Sequence, residues 1–340
     1  MPAQRDRALA LALAFSITAV AWTVLSSNTR ADDAPPGIAQ PRGPWIDEIV
    51  WSEERDRSKA LTDVIAGNQH MMMFDITTLA DRERAVASDQ IGTFPAYRLF
   101  DELSMNPVER SQTAGFPRNP FAVRAVREAM HYLIDRDFVV REIYAGFAIP
   151  YRTVWHPRSP DYGRAIDDLL KLEDKYAFDP EKGKDQMFTA LEAAGWSIQQ
   201  GTDAGGRTCP LTTGCWRDPE GRVVTLKIMK RVQDERLQLG TYYANILRGL
   251  NFKVEEIGAF LGPYGTPPEE EQWNIYTAGW ISFSTTPWDD DRLKFYAACG
   301  IGEIYCTPGD PSFYDPPPAL QDIANTIALR QYGNLDERAR

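Results

Sequence analysis

From residue 46 onward, apolar and polar positions alternate with two distinct periods. Ile46 to Trp51 reads as a strand, and Ser58 to Ala66 as a helix with Ala60, Leu61, Val64 and Ile65 on one face and Gly67 as its stop. A second strand is predicted over His70 to Phe74, with Met71, Met72 and Met73 buried in it. Strand, helix and strand in that order predict a parallel pair joined by a crossover helix.

Residues 119–144 are strongly helical. Asn119 suits the N-cap, and Pro120 suits the first turn, where a missing N–H costs nothing. Val123, Val126, Met130, Leu133 and Ile134 recur at helical spacing, and a second helix starts at Asp135 and takes in Val139, Val140 and Ile143. A third helix starts at Asp179-Pro180 and ends before Gly195, with Met187, Phe188, Leu191 and Ala194 apolar. After a loop-like stretch from Gly201 to Gly221, a second strand–helix–strand unit is predicted. Val224, Leu226 and Ile228 form the strand, Leu237 to Leu250 the helix, and Phe252 to Ile257 the returning strand. Trp273 to Ile281 reads as a further strand and Pro318 to Arg330 as a last helix. The fold class is mixed α/β, with strand–helix–strand units in separate halves of the chain.

Upstream of residue 46 the pattern changes. Arg5 and Arg7 precede an uncharged stretch from Ala8 to Leu25, and Thr29-Arg30-Ala31 closes it as small-x-small, the layout of a secretory signal peptide. The uncharged stretch is also just long enough for an uncleaved anchor. In either case the body lies outside the cytoplasm. Residues 1–31 are expected to be the signal peptide, and the Pro-rich stretch 32–44 a linker. At 340 residues the chain favours two lobes. Its net charge is -11, and becomes -13 once three arginines and one aspartate go with the signal peptide. Such an acidic surface argues against nucleic acid as a partner. It suits cationic or zwitterionic ligands, although solubility alone also selects acidity.

The four cysteines fall in two close pairs, Cys209 with Cys215 and Cys299 with Cys306. In an oxidising compartment these read as two local disulfides, each pinning a loop. Zinc is the alternative, but His70, His131 and His156 do not stand at ligand spacing from either pair. No metal and no cofactor is expected.

Residues 119–157 (NPFAVRAVREAMHYLIDRDFVVREIYAGFAIPYRTVWHP) resemble the bacterial extracellular solute-binding proteins that include dipeptide, oligopeptide and nickel binders. The likeness lies in the Pro-Phe start, the Val-Arg-x-Ala helix, Ile134-Asp135-Arg136, and Gly146 followed by Pro150. Three further stretches resemble the family in the same order: residues 176–196, VTLKIM at 224–229 followed by Leu247 to Val254, and WNIYTAGW at 273–280. In the second of these, Asn251 stands where the family usually has Gly. The resemblance implies a two-lobed, type II periplasmic-binding-protein-like fold with a reduced first lobe. Residues 45–118 would form part of that lobe, and 119–340 the second lobe with a C-terminal crossover segment. Family members are considerably longer, so the first lobe is expected to be reduced, completed by another chain, or missing because the sequence is a fragment.

The resemblance also implies ligand capture between lobes and docking on an ABC permease in the membrane, without catalysis. Trp280, Phe283, Tyr276 and Trp288 are the candidate ligand-binding aromatics, with Ser282 and Ser284 as hydrogen-bonding partners and Asp289 as a charged one. Peptide-binding members place an Asp three residues after the Trp of Gly-Trp, and here that position is Phe283. A neutral or differently charged ligand is therefore expected, unless the run Asp289 to Asp291 substitutes. No nucleophile elbow, His-x-x-x-His or phosphate-binding Gly-rich motif is present, although spacing alone does not rule out a distant carboxylate pair. The competing reading is an interaction or assembly protein derived from a solute-binding protein that has lost its pocket.

Overall fold

The helix at residues 180–193 shows how directly local sequence sets local structure. The Asp179 side chain accepts a hydrogen bond from the Lys182 N–H at 3.0 Å, Pro180 occupies the first position, and Gly195 ends the run at φ +85°. The structure, a computed structural model, describes residues 46–76, 78–94, 99–109, 117–153, 155–259, 273–281, 297 and 316–339. The chain divides into two units, Met1–Glu54 and Arg55–Arg340. Of the first unit only 46–54 are described; they carry no helix or strand, and Trp51 is 74% exposed.

In the second unit, described elements in chain order are α1 (Arg57–Ile65), α2 (Leu79–Ala87), β1 (Leu99–Met105), α3 (Arg124–Leu133), α4 (Arg136–Phe138, running into a π-helical turn Val139–Ile143), α5 (Pro160–Arg164), α6 (Ile166–Lys175) and α7 (Pro180–Ala193). There follow β2 (Ser197–Gln199), β3 (Cys215–Arg217), β4 (Thr225–Arg231), α8 (Arg236–Gly249), β5 (Lys253–Ala259), β6 (Ile275–Ile281), α9 (Pro318–Ala328) and α10 (Leu335–Ala339).

The main sheet has the order β1-β6-β4-β5. β4 is parallel to β5 and to β6, while β1 is antiparallel to β6. The second predicted strand–helix–strand unit is thus present as β4-α8-β5. The main core joins Phe121, Val126, Met130 and Leu133 to Met187 and Leu191 of α7, to Tyr243 and Leu247 of α8, and to Leu226, Ile228 and Ile275 of the sheet. Each fully buried side chain of this kind contributes about 1.5–3 kcal/mol. Trp216 is enclosed there, its indole N–H donating to the Leu250 carbonyl at 2.9 Å.

The first predicted strand–helix–strand unit does not form. Its helix is present as α1, but 46–51 and 70–74 are irregular. Met71 and Met73, expected inside a strand, are 68% and 50% exposed. Alternation marks a strand only where a neighbour supplies backbone partners, and among the described residues none lies beside these segments. The chain instead forms α2, whose Asp81 accepts from Ser58 of α1 at 2.7 Å.

A ladder of asparagines ties the start of the helical block to the sheet. Asn119 donates to the carbonyls of Asn106 (2.7 Å) and Val108 (3.0 Å) and accepts from Asn274 (3.1 Å), while Asn274 accepts from the Lys227 N–H (2.8 Å). All three are buried, so each is matched to partners that water cannot replace.

Candidate functional site

The site follows from the strand order. After β4, the chain crosses through α8 to β5 on one side; it later returns as β6 on the other side of β4. β6 therefore flanks β4 on the side away from the crossover to β5, and open α/β sheets receive ligands outside the carboxyl ends of such strands. Because β1 is antiparallel, its first residues lie at this same end, with Leu99 opposite Ile281, Phe100 opposite Trp280 and Asp101 opposite Gly279.

Four side chains meet here. The Tyr144 hydroxyl, just past the π-helical turn, donates to Asp101 Oδ2 at 2.6 Å. Arg236, the first residue of α8, stands 3.6 Å from Asp101 Oδ1, and its guanidinium is held by Asp234 at 2.8 Å through Nε and 2.5 Å through Nη2. Gly279 makes the arrangement possible, since a Cβ there would collide with the Arg236 guanidinium and the Asp101 carboxylate.

The Asp101 side chain is 25% exposed, yet protein crowds it on most sides. Burial pushes its carboxyl up to about 6, against the Tyr144 hydrogen bond and the Arg236 charge; Asp234 and Glu235 add to the rise. Burial also raises the Tyr144 hydroxyl, together with the Asp101 charge beside it. Asp234 is driven the other way, because the Arg236 hydrogen bonds and charge outweigh its own desolvation. Nearby, Phe100 meets Tyr151 edge-on (centroids 5.5 Å apart) and Tyr151 meets His156 at 5.5 Å.

The expected ligand-binding residues are placed as follows. The Trp280 backbone lies near the carboxyl end of β6, paired with Phe100. Tyr276 is 1% exposed, packed with Met229, Trp273 and Ala278, its hydroxyl 3.5 Å from Arg231. Ser282, Phe283, Ser284, Trp288 and Asp289 lie outside the described residues, as do Cys299 and Cys306. Cys209 and Cys215 form a disulfide with Cα atoms 5.6 Å apart, as the sequence implied, and among the described residues no cluster could hold a metal ion. Asp101, Tyr144 and Arg236 carried no sequence signal: Asp101 sits in a strand that the pattern does not reveal, and only the fold brings the three together. A separate surface hollow of about 340 Å³ lies on the helices, lined by Leu133, Phe178, Lys184, Tyr242 and Ile246 among others, with no strand residue in its wall.

Comparison with known proteins agrees with this fold. A periplasmic oligopeptide-binding protein from Thermotoga maritima, solved with bound mannohexaose, superposes with a TM-score of 0.56 at 16% identity over 83% of this chain and 48% of its own. The periplasmic binding protein DppA from Helicobacter pylori, in complex with the peptide STSA, gives 0.53 at 18% identity over 83% and 45%. AppA from Bacillus subtilis, an oligopeptide-binding protein with a bound nonapeptide, gives 0.51 at 16% over 84% and 49%. The chain therefore spans about half the length of these proteins and shares their α/β fold. A search of curated proteins gives no significant match. The profile described as Bacterial extracellular solute-binding proteins, family 5 Middle, matches residues 30–300, and the chain belongs to that family.

Proposed function

We propose that this protein is the substrate-binding component of an ABC-type importer for peptides or related small solutes, capturing its ligand without transforming it. The observation that carries the reading is the cluster at the carboxyl end of β6, where Gly279, Asp101, Tyr144 and Arg236 converge beside the Trp280 position. Trp280, Phe283, Ser282, Ser284, Trp288 and Asp289 are taken as its ligand-binding residues on the sequence resemblance, Trp280 standing in the strand that ends there. Tyr276 is left to the packed cluster beneath. Export by residues 1–31 is supported by the Cys209–Cys215 disulfide, which persists in an oxidising compartment. Among the described residues no helix is long and apolar enough to cross a membrane.

A thermal-shift screen with peptides, sugars and metal ions tests the proposal. A ligand at a hundredfold excess over Kd adds about 2.7 kcal/mol to stability, a rise of several degrees. A broad panel without any shift would remove the receptor reading. The second reading, an assembly protein without a closed pocket, is favoured by the exposed Met71, Phe74, Leu79, Val86 and Phe94, a set that in an assembly protein would face a partner. It predicts a stable complex with another chain and no small-molecule shift.

A further inference from the structure

We propose that Arg136 and Tyr243 hold a small monovalent anion such as chloride where the α3–α4 junction packs on α8. The site is separate from the cluster at the end of β6 and does not depend on the receptor reading. Arg136 opens α4, and its side chain is half-buried. It donates through Nε to the Tyr151 carbonyl and through Nη1 to the His131 carbonyl, both at 3.2 Å, and Nη2 stands 3.3 Å from His131 Nδ1. All three acceptors are neutral. Burial and the Arg136 charge lower the His131 ring to about 4, so it carries no charge at pH 7. A guanidinium has five N–H groups, and two of them are left over. Among the described residues no carboxylate forms an ion pair with Arg136, and Asp135 beside it accepts instead from the Phe138 N–H at 2.9 Å. Its charged neighbour is a second cation, Arg152. Burial and that charge bring Arg136 down to about 10. Arg152 stands 3.5 Å from Asp137, whose side chain is 72% exposed, so water screens that pair.

Tyr243 is the independent observation. Its side chain is 0% exposed, yet its hydroxyl has no hydrogen-bond partner among the described residues. A buried polar group of that kind is rare in a folded protein and points to a partner other than the chain itself. Burial raises its pKa against the Arg136 charge, so the hydroxyl is a protonated donor at neutral pH, close enough to Arg136 to feel it. The neighbouring Tyr242 hydroxyl is used differently, accepting the Asp135 N–H at 3.2 Å. The junction therefore offers a phenol O–H and two guanidinium N–H groups, all donors, beside a positive charge that no carboxylate balances. A water molecule would satisfy the donors and leave the charge; an anion satisfies both. Tyr243 belongs to the main core, so the ion must shed water to reach it. Chloride does so more readily than the strongly hydrated fluoride or phosphate.

The test melts the whole chain while sodium chloride replaces sodium gluconate at fixed ionic strength. In the wild type Tm should rise saturably, by several degrees at about a hundredfold excess of chloride over its Kd. Bromide should act like chloride. In Tyr243→Phe the half-saturating chloride concentration should increase about tenfold or more, since one hydrogen bond to the ion is lost. Without chloride that variant should melt no lower than the wild type, because the hydroxyl it removes has no partner in the chain. Arg136→Met should lose the chloride dependence altogether. If either variant does not fold, diffraction from wild-type crystals soaked in bromide serves instead, with anomalous density expected between the Arg136 guanidinium and the Tyr243 hydroxyl. A wild type that melts alike in chloride and gluconate would overturn the inference, as would a chloride effect left unchanged in Tyr243→Phe. Stabilisation by phosphate and not by chloride would overturn the stated ligand class. Bromide density at the site without any chloride dependence of melting would mean an adventitious ion only and would also overturn it.

Discussion

Glu256 shows what a single half-buried carboxylate does in this fold. It accepts from Lys230 at 2.5 Å, Arg248 at 2.6 Å and Thr241 at 3.0 Å. Burial alone would raise its pKa, but the Lys230 and Arg248 hydrogen bonds hold the carboxyl at about 2, below its ordinary 4.5. Since the folded value is the depressed one, the stabilisation is present above about 4.5 and is lost as pH falls toward 2. Glu256→Gln should cost up to about 3 kcal/mol at pH 7. In urea unfolding, the gap between variant and wild type should close across that acid window; a gap that stays constant with pH would contradict the assignment. Asn251, a departure from the family pattern in the sequence, is explained by its backbone. It takes φ +67° where the family usually has Gly, and its amide donates to Thr213 and to the Gly214 carbonyl at 2.8 and 2.9 Å. Asn tolerates the left-handed region better than other side chains do. Asp101 could not be read in advance, because its meaning depends on Gly279, 178 positions later in the chain.

At the scale of elements, α8 separates what periodicity conveys from what it omits. The apolar spacing over 237–250 located the helix to within a residue at either end. It did not show that Gly240 is where the helix touches the sheet. A Cβ there would meet Lys230 Cγ at 2.5 Å and Cδ at 2.7 Å, and Thr277 Cγ2 at 3.1 Å, with Lys230 held in place by Glu256. Gly249, near the end of the same helix, has open space around its position. Gly240→Ala should therefore destabilise by about 1–3 kcal/mol, whereas Gly249→Ala should be neutral or stabilise by up to about 1 kcal/mol. Equal effects in thermal melts would mean that the helix–sheet approach is looser than described. The first half of the chain was less legible. Residues 70–74 form an apolar run like a buried strand but have no strand beside them among the described residues, and β1 was missed because Asp101 and Glu102 interrupt its apolar run.

At the scale of the molecule, the 197–223 excursion is densely bonded within itself and tied to the rest of the unit through Trp216, Arg118 and Asn251. Asp203 and Asp218 build matching turns. Asp203 accepts from the N–H groups of Gly205, Arg207 and Val223, and Asp218 from those of Glu220, Arg222 and Arg118. The backbone and side-chain hydrogen bonds from Arg207 more than offset the burial of Asp203 and hold its carboxyl well below the usual range. With so much local bonding, the Cys209–Cys215 disulfide has little to hold beyond its own loop, and closing so short a loop removes about 2 kcal/mol of unfolded-state entropy. Cys209→Ala with Cys215→Ala should lower Tm by roughly 4–8 °C. New protease sensitivity should be confined to residues 200–223, and ligand binding should be unchanged. Loss of the whole fold would show that the disulfide supports the core.

The sequence by itself determined the features whose causes are local. These include the caps at Asn119, Asp135 and Asp179, the β4-α8-β5 unit, and a cysteine pair too close to do more than pin a loop. Each depends on residues within a few positions or one crossover of each other. Tertiary structure alone decided which strands lie beside β6, and that Asp101, Tyr144, Arg236 and Gly279 share one end of the sheet. Pairing between segments 170 or more residues apart is set by the total burial and hydrogen bonding of the folded sheet, which no local pattern encodes.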